Sequence, residues 1–231
     1  MAVCTTASQP ASDALFIGIG YLIGERSGSR IPVIEGLPKP MSEDPLKALG
    51  AVAASTGAVA MFHAIGITPE APTLNDAFGG RDPDDVVEFT MDDIRNALAR
   101  LSTAREGAPL AAVSLGTPHF SIDEFWAFVP LLSGFQIAPG VEFYINTSRE
   151  TLRAIDQAGL LPVIEKAGIR LVTDTCTYVT SILRDGGGAV MTNSGKWAHY
   201  APANLGVDVA FGSTEDCLRS ASSGRIERSG L

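Results

Sequence analysis

Apolar runs of strand length alternate with helix-patterned segments at least four times along this chain. The runs include PLAAVSLG, VEFYINTS, RLVTDTC, GAVMTNS and VDVAFGS. Runs of this kind between helices are what strands covered on both faces require, and parallel strands need a crossover between them. The pattern predicts an α/β fold with a parallel sheet. In such sheets ligands bind beyond the carboxyl ends of the strands. Three polar loops hold that position: HAIGITPEAPT after AVAMF, GTPHFS after LAAVSL, and TCTYVT after RLVTD.

Local signals set the helix boundaries. Ser121 with Glu124 forms a capping-box pattern, and Thr90 with Asp93 opens a helix extending to about Arg105. Asp44 and Pro45 start a helix that Gly57 ends, followed by a buried strand AVAMFHA. Gly159 splits TSRETLRAIDQAGLLPVIEKAGI into two helices, and Ser213 or Thr214 caps a terminal one. The segment LFIGIGYLIG reads as helix or strand. Its glycine spacing departs from the dinucleotide fingerprint. Residues 67–85 read as a loop. Residues 1–14 are small and polar, and residues 1–16 are expected to form a disordered tail ahead of one α/β domain over 17–231.

The net charge of −9 argues against non-specific nucleic-acid binding, because Lys39, Lys47, Lys166 and Lys196 form no patch. No stretch of about 18 apolar residues exists, so no membrane helix is expected. The N-terminus lacks a basic leader region, and a cytoplasmic location is expected. Cys4, Cys176 and Cys217 are an odd number at unrelated spacings and do not read as a disulfide framework.

Chemistry-capable side chains crowd into residues 173–212. Cys176 follows a strand, where a thiolate could ligate a metal or act as nucleophile. The alternative is a packed free thiol. The glycine triplet 186–188 allows close backbone approach or a mobile lid. Asn193, Ser194 and Lys196 offer amide, hydroxyl and ammonium groups able to clamp a carboxylate or phosphate; the alternative is a polar turn. His119, before a helix start, could bind an anion or exchange a proton. Ser121 beside it is fully explained as an N-cap. His63 lies in an apolar run, where a core histidine is the ordinary reading, and Glu70 sits on a loop stiffened by Pro69 and Pro72.

Taken together, GYLIGERSGSRIPVIEGL, LKALGAVAASTGAVAMFHAIGITPEAPT, GTPHFS, DTCTYVT and MTNSGKWAHYAPANLGVDVAFGS resemble the aconitase X family of dehydratases. The resemblance implies an aconitase-like three-layer α/β/α fold with a mostly parallel sheet. It implies removal of water from a small hydroxy acid, cis-3-hydroxy-L-proline first and mevalonate 5-phosphate as the alternative. It also implies an iron–sulfur cluster, 2Fe–2S or 4Fe–4S, as Lewis acid. Carried over by position, Cys176 would be a cluster ligand, and Ser194, Lys196 and His119 would be catalytic. His63, Glu70, Ser121 and Asn193 would line the substrate site. Many relatives have Cys where Thr117 stands. The chain resembles only the C-terminal part of the family's large subunit or catalytic domain. The expected partners are therefore the missing N-terminal segment and the small swivelling domain or subunit. The other readings are a truncated, non-catalytic remnant and an unrelated carboxylate-binding module.

Overall fold

A computed structural model describes residues 1–5, 12–40, 42–180, 182–183 and 188–229. The chain divides into two compact units, Met1–Ala99 and Arg100–Leu231, where one domain is expected from the sequence.

In the first unit, β1 (Ala2–Thr5), β2 (Val33–Glu35), β3 (His63–Ala64) and β4 (Val86–Phe89) pair in the order β3-β2-β1-β4, all parallel. The expected tail over residues 1–16 is thus corrected. Ala2–Thr5 forms an inner strand, and Ser12 caps α1 (Asp13–Ser27) by accepting from the Leu15 N–H. Residues 6–11 lie outside the described residues. The other helices are α2 (Asp44–Gly57), α3 (Leu74–Phe78) and α4 (Met91–Ala99). The expected strand AVAMFHA shrinks to His63–Ala64.

The glycines of GIGYLIG are packing positions. A Cβ on Gly20 would lie 2.5 Å from the Leu49 carbonyl oxygen, and one on Gly57 would lie 1.7 Å from that of Gly24. A Cβ on Gly18 would meet Ile94 at 2.6 Å. Their missing side chains let α1 approach α2 on one side and α4 on another.

In the second unit, β5 (Leu110–Phe120), β6 (Glu142–Thr147), β7 (Arg170–Thr173), β8 (Ala189–Thr192) and β9 (Val209–Phe211) pair in the order β7-β6-β5-β8-β9, again all parallel. The chain winds outward from β5 through α5 (Ile122–Phe128), α6 (Arg149–Gln157) and α7 (Leu161–Lys166). It then crosses to β8 and winds the other way through α8 (Gly195–Leu205) before ending in α9 (Thr214–Ser223). Right-handed crossovers in opposite directions put helices on opposite faces. Val113, Leu115, Phe143 and Ile145 accordingly join a core with Phe125, Ile155, Ile164 and Cys217. Their strand neighbours Ser114 and Asn146 point to the other face, where α8 packs. The result is an α/β fold of mostly parallel strands flanked by helices.

The expected capping box at Ser121 and Glu124 is present, and a second one joins Ser213 and Asp216 at α9. Gly159, at φ +73°, divides α6 from α7 as expected.

Candidate functional site at the strand ends

The strand order reverses between β5 and β8, so their C-terminal ends bound the crevice where α/β sheets bind ligands. β5 ends in an irregularity. Its register against β6 shifts between Leu115 and Phe120. Gly116 has a φ of +79°, and a Cβ there would lie 2.2 Å from the Asn146 carbonyl oxygen. Only glycine fits that turn and that approach. A cis peptide follows between Thr117 and Pro118.

Ser194 sits opposite. It is the N-cap of α8, its oxygen accepting from the Trp197 N–H at 3.0 Å while its proton goes to the Thr117 carbonyl. Expected among the catalytic groups, Ser194 is 5% exposed, and its hydroxyl is engaged on both sides by the fold itself. Asn193 gives one amide proton to Thr214 Oγ1 at 3.2 Å, at the first turn of α9. Lys196 lies in the first turn of α8 and is half-buried, and among the described residues it has no ion-pair or hydrogen-bond partner. A cation at a helix N-terminus opposes the helix dipole.

His119 Nε2 lies 3.2 Å from the Thr175 carbonyl oxygen. A carbonyl only accepts, so this bond requires the proton on Nε2. Ser121 caps α5, accepting from the Glu124 N–H at 3.1 Å. Cys176 is half-buried with a free thiol. Cys217, by contrast, is fully buried in α9, where desolvation, then the charges of Asp216 and Glu215, push its thiol well up. Cys4 lies in β1.

Two bonds link the segments that carry the expected groups: His119 at the end of β5 meets the carbonyl of Thr175, next to Cys176, and Ser194 before α8 meets that of Thr117. His63 and Glu70 belong to the other unit. His63 is in β3 with its Nδ1 buried and without a hydrogen-bond partner among the described residues, and Glu70 is exposed before α3. Gly186 and Gly187 lie outside the described residues. Gly188 is a packing position, since a Cβ there would lie 2.8 Å from the Ala111 nitrogen.

Residue-by-residue reading of the sequence missed a buried polar cluster on the α8 side of the sheet. Asn146 donates to the Leu115 carbonyl at 2.7 Å and accepts from the Thr177 N–H at 3.1 Å. Thr177 Oγ1 lies 2.6 Å from Ser114 Oγ and accepts from Trp197 Nε1 at 2.7 Å. Ser114, Asn146, Thr177 and Trp197 all have zero exposure. The signal available was a lone Asn in the strand VEFYINT.

These features define a doubly wound sheet with a candidate anion site at its switch point. Two family models match the chain, the aconitase X second domain over residues 2–99 and the aconitase X third domain over residues 110–223. The chain belongs to the aconitase X family. It is 39% identical over 216 residues to a cis-3-hydroxy-L-proline dehydratase of Pseudomonas aeruginosa, covering 92% of this chain and 37% of that protein. It is 36% identical to the cis-3-hydroxy-L-proline dehydratase of Hypocrea jecorina, covering 93% and 37%. Identity to the phosphomevalonate dehydratase large subunit of Methanosarcina mazei is 32%, covering 92% and 50%. The crystal structure of Thermococcus kodakaraensis aconitase X in its holo-form superposes with a TM-score of 0.77 at 24% identity, covering 95% of this chain and 54% of that one. The chain therefore spans between about a third and a half of the length of these relatives.

Proposed function

We propose that this chain contributes two domains to a hydro-lyase acting on a small hydroxy acid, with cis-3-hydroxy-L-proline as the first candidate. The unpartnered Lys196 ammonium at the first turn of α8, beside the β5–β8 switch point, carries this reading. The two dehydratases at 39% and 36% identity support the substrate class.

In such a reaction a proton leaves the carbon next to the carboxylate, and a hydroxyl leaves its neighbour, together as water. As the proton leaves, negative charge builds on the carboxylate. Lys196 and the unpaired N–H groups that open α8 would stabilise that charge in place, lowering the barrier more than they favour the substrate. The second proton of Asn193 can orient the same group. His119 gives its Nε2 proton to the Thr175 carbonyl, which fixes its ring beside the segment that carries Cys176. Ser194 acts by fixing α8 against Thr117.

An iron–sulfur cluster fits only in part. Cys176 offers one soft ligand at the strand ends. Among the described residues no three His, Cys, Asp or Glu side chains converge on a metal. These residues do not build a cluster site by themselves. In this reading the remaining ligands and the closing domain belong to segments that the relatives have beyond the matched part.

The test is reconstitution. The chain, with and without the family's remaining domains, is incubated with iron and sulfide without oxygen, then assayed with cis-3-hydroxy-L-proline and mevalonate 5-phosphate. The expected result is turnover of the hydroxyproline by the complete assembly and none by the chain alone, because closure completes the catalytic set. Preference for mevalonate 5-phosphate would reassign the substrate, and no turnover by the complete assembly would favour the non-catalytic remnant.

A further inference from the structure

The segment from Asp174 to Tyr178 is tied down residue by residue. Asp174 accepts from the Arg149 N–H at 3.1 Å and from its guanidinium. The Thr175 carbonyl meets His119, and that of Cys176 accepts from Val179 at 3.0 Å and Thr180 at 3.1 Å. Thr177 meets Asn146, Ser114 and Trp197. The Tyr178 ring stacks on Tyr200 of α8 with centroids 5.3 Å apart. Cys176 itself is half-buried and forms no disulfide.

Trp197 directly follows Lys196, and Thr177 directly follows Cys176. The 2.7 Å bond between indole Nε1 and Thr177 Oγ1 therefore joins the immediate neighbours of the two candidate groups. An indole N–H only donates, and both residues have zero exposure, so water cannot replace either partner. Asn146 adds a second hold on Thr177 from β6 and ties it to β5 through Leu115.

We propose that Trp197 and Asn146 are positioning residues that act through Thr177 to set the Cys176 thiol at a fixed separation from the Lys196 ammonium. The inference rests on the reading above that Cys176 and Lys196 serve one site. The bonds explain why a tryptophan and an asparagine, rather than apolar residues of like volume, fill this face of the sheet.

The test measures alkylation of Cys176 by iodoacetamide in the cluster-free chain, resolved by peptide mass spectrometry. Trp197→Phe keeps an aromatic ring and removes the donor. Thr177→Val keeps the shape and removes the acceptor. Each should raise the alkylation rate roughly fivefold by loosening the loop. Thr177→Ser, which keeps the hydroxyl, should stay within about twofold of wild type. The double variant Trp197→Phe/Thr177→Val should be no faster than the faster single one, because both break the same bond. Unchanged rates in Trp197→Phe or in Thr177→Val, or additive effects, overturn the proposal. If Trp197→Phe fails to fold, equal rates for Thr177→Val and Thr177→Ser overturn it alone. The readout needs no cluster and no turnover. Retention of cluster absorbance by Cys176→Ser in the complete assembly would instead remove Cys176 as a ligand and leave the positioning result standing.

Discussion

The Ser194 hydroxyl donates its proton to the backbone carbonyl of Thr117, joining the first turn of α8 to the end of β5 across 77 residues of sequence. The bond spans the point where the sheet reverses its winding. It makes one serine both a helix cap and a clamp on the candidate site.

Ser194→Ala should therefore act on stability first. The lost cap costs about 1 kcal/mol. The stranded Thr117 carbonyl adds about 1–3 kcal/mol. Urea unfolding of the chain should show a loss of roughly 2–4 kcal/mol from these two sources. A variant as stable as wild type would show that the hydroxyl is spare for chemistry, as the sequence reading expects.

Gly116→Ala should be worse than Gly107→Ala, although both glycines have positive φ, +79° and +75°. Space surrounds Gly107, so only the backbone penalty of about 1 kcal/mol applies. At Gly116 the new methyl would meet the Asn146 carbonyl, adding about 1–3 kcal/mol of overpacking. Equal losses in chemical denaturation would mean that β5 can relax away from β6.

Lys196→Met separates binding from folding. The ammonium opposes the α8 dipole, so its removal should leave stability unchanged or raise it by about 0.3–1 kcal/mol. Substrate use by the complete assembly should fall by well over tenfold, the scale of about 2–5 kcal/mol for breaking a desolvated charge pair. Kinetics within about twofold of wild type, with stability unchanged, would make Lys196 an ordinary surface charge.

Asp174 gives the Cys176 loop a pH dependence. Hydrogen bonds from the Arg149 backbone N–H, then from its guanidinium, hold the Asp174 carboxyl below its ordinary value. A lowered folded-state pKa means a contribution to stability that is present above the unfolded value and lost as pH falls through the folded one. The stability difference between wild type and Asp174→Asn should be constant from about pH 5 to 8 and shrink below about pH 4. A difference that persists undiminished into acid would assign the effect to something other than this carboxylate.

What the sequence made legible was local or periodic. Ser121 with Glu124 and Thr90 with Asp93 sit three residues apart, and their bonds form within one turn. The strands of the second unit announced themselves by apolar runs. Helix α8 did not, because Gly195 opens it and Pro202 lies inside it, two residues that argue for a turn. Its own bonds to Thr117 and Thr177 hold it. β1 was hidden by the small polar residues after it, and its pairing with β2 and β4 is long-range. The cluster around Asn146 joins residues 31 and 20 apart in sequence, so only the assembled sheet reveals it. The glycines of α1 lie inside the helix, and their use in packing needed the partner helix.

The strand order also dictates a timetable. β5, β6 and β7 can pair once residue 173 has been made, yet the edge of β5 that faces the switch point stays open until β8 joins it. During synthesis, no intermediate holding only the first three strands of this unit can own the Thr117–Ser194 contact. Pairings of such separation are slow to close and leave an unpaired edge waiting. The candidate site thus takes shape only after β8 and α8 have been made, and a chain stalled short of β8 would present a β5 edge open to other strands.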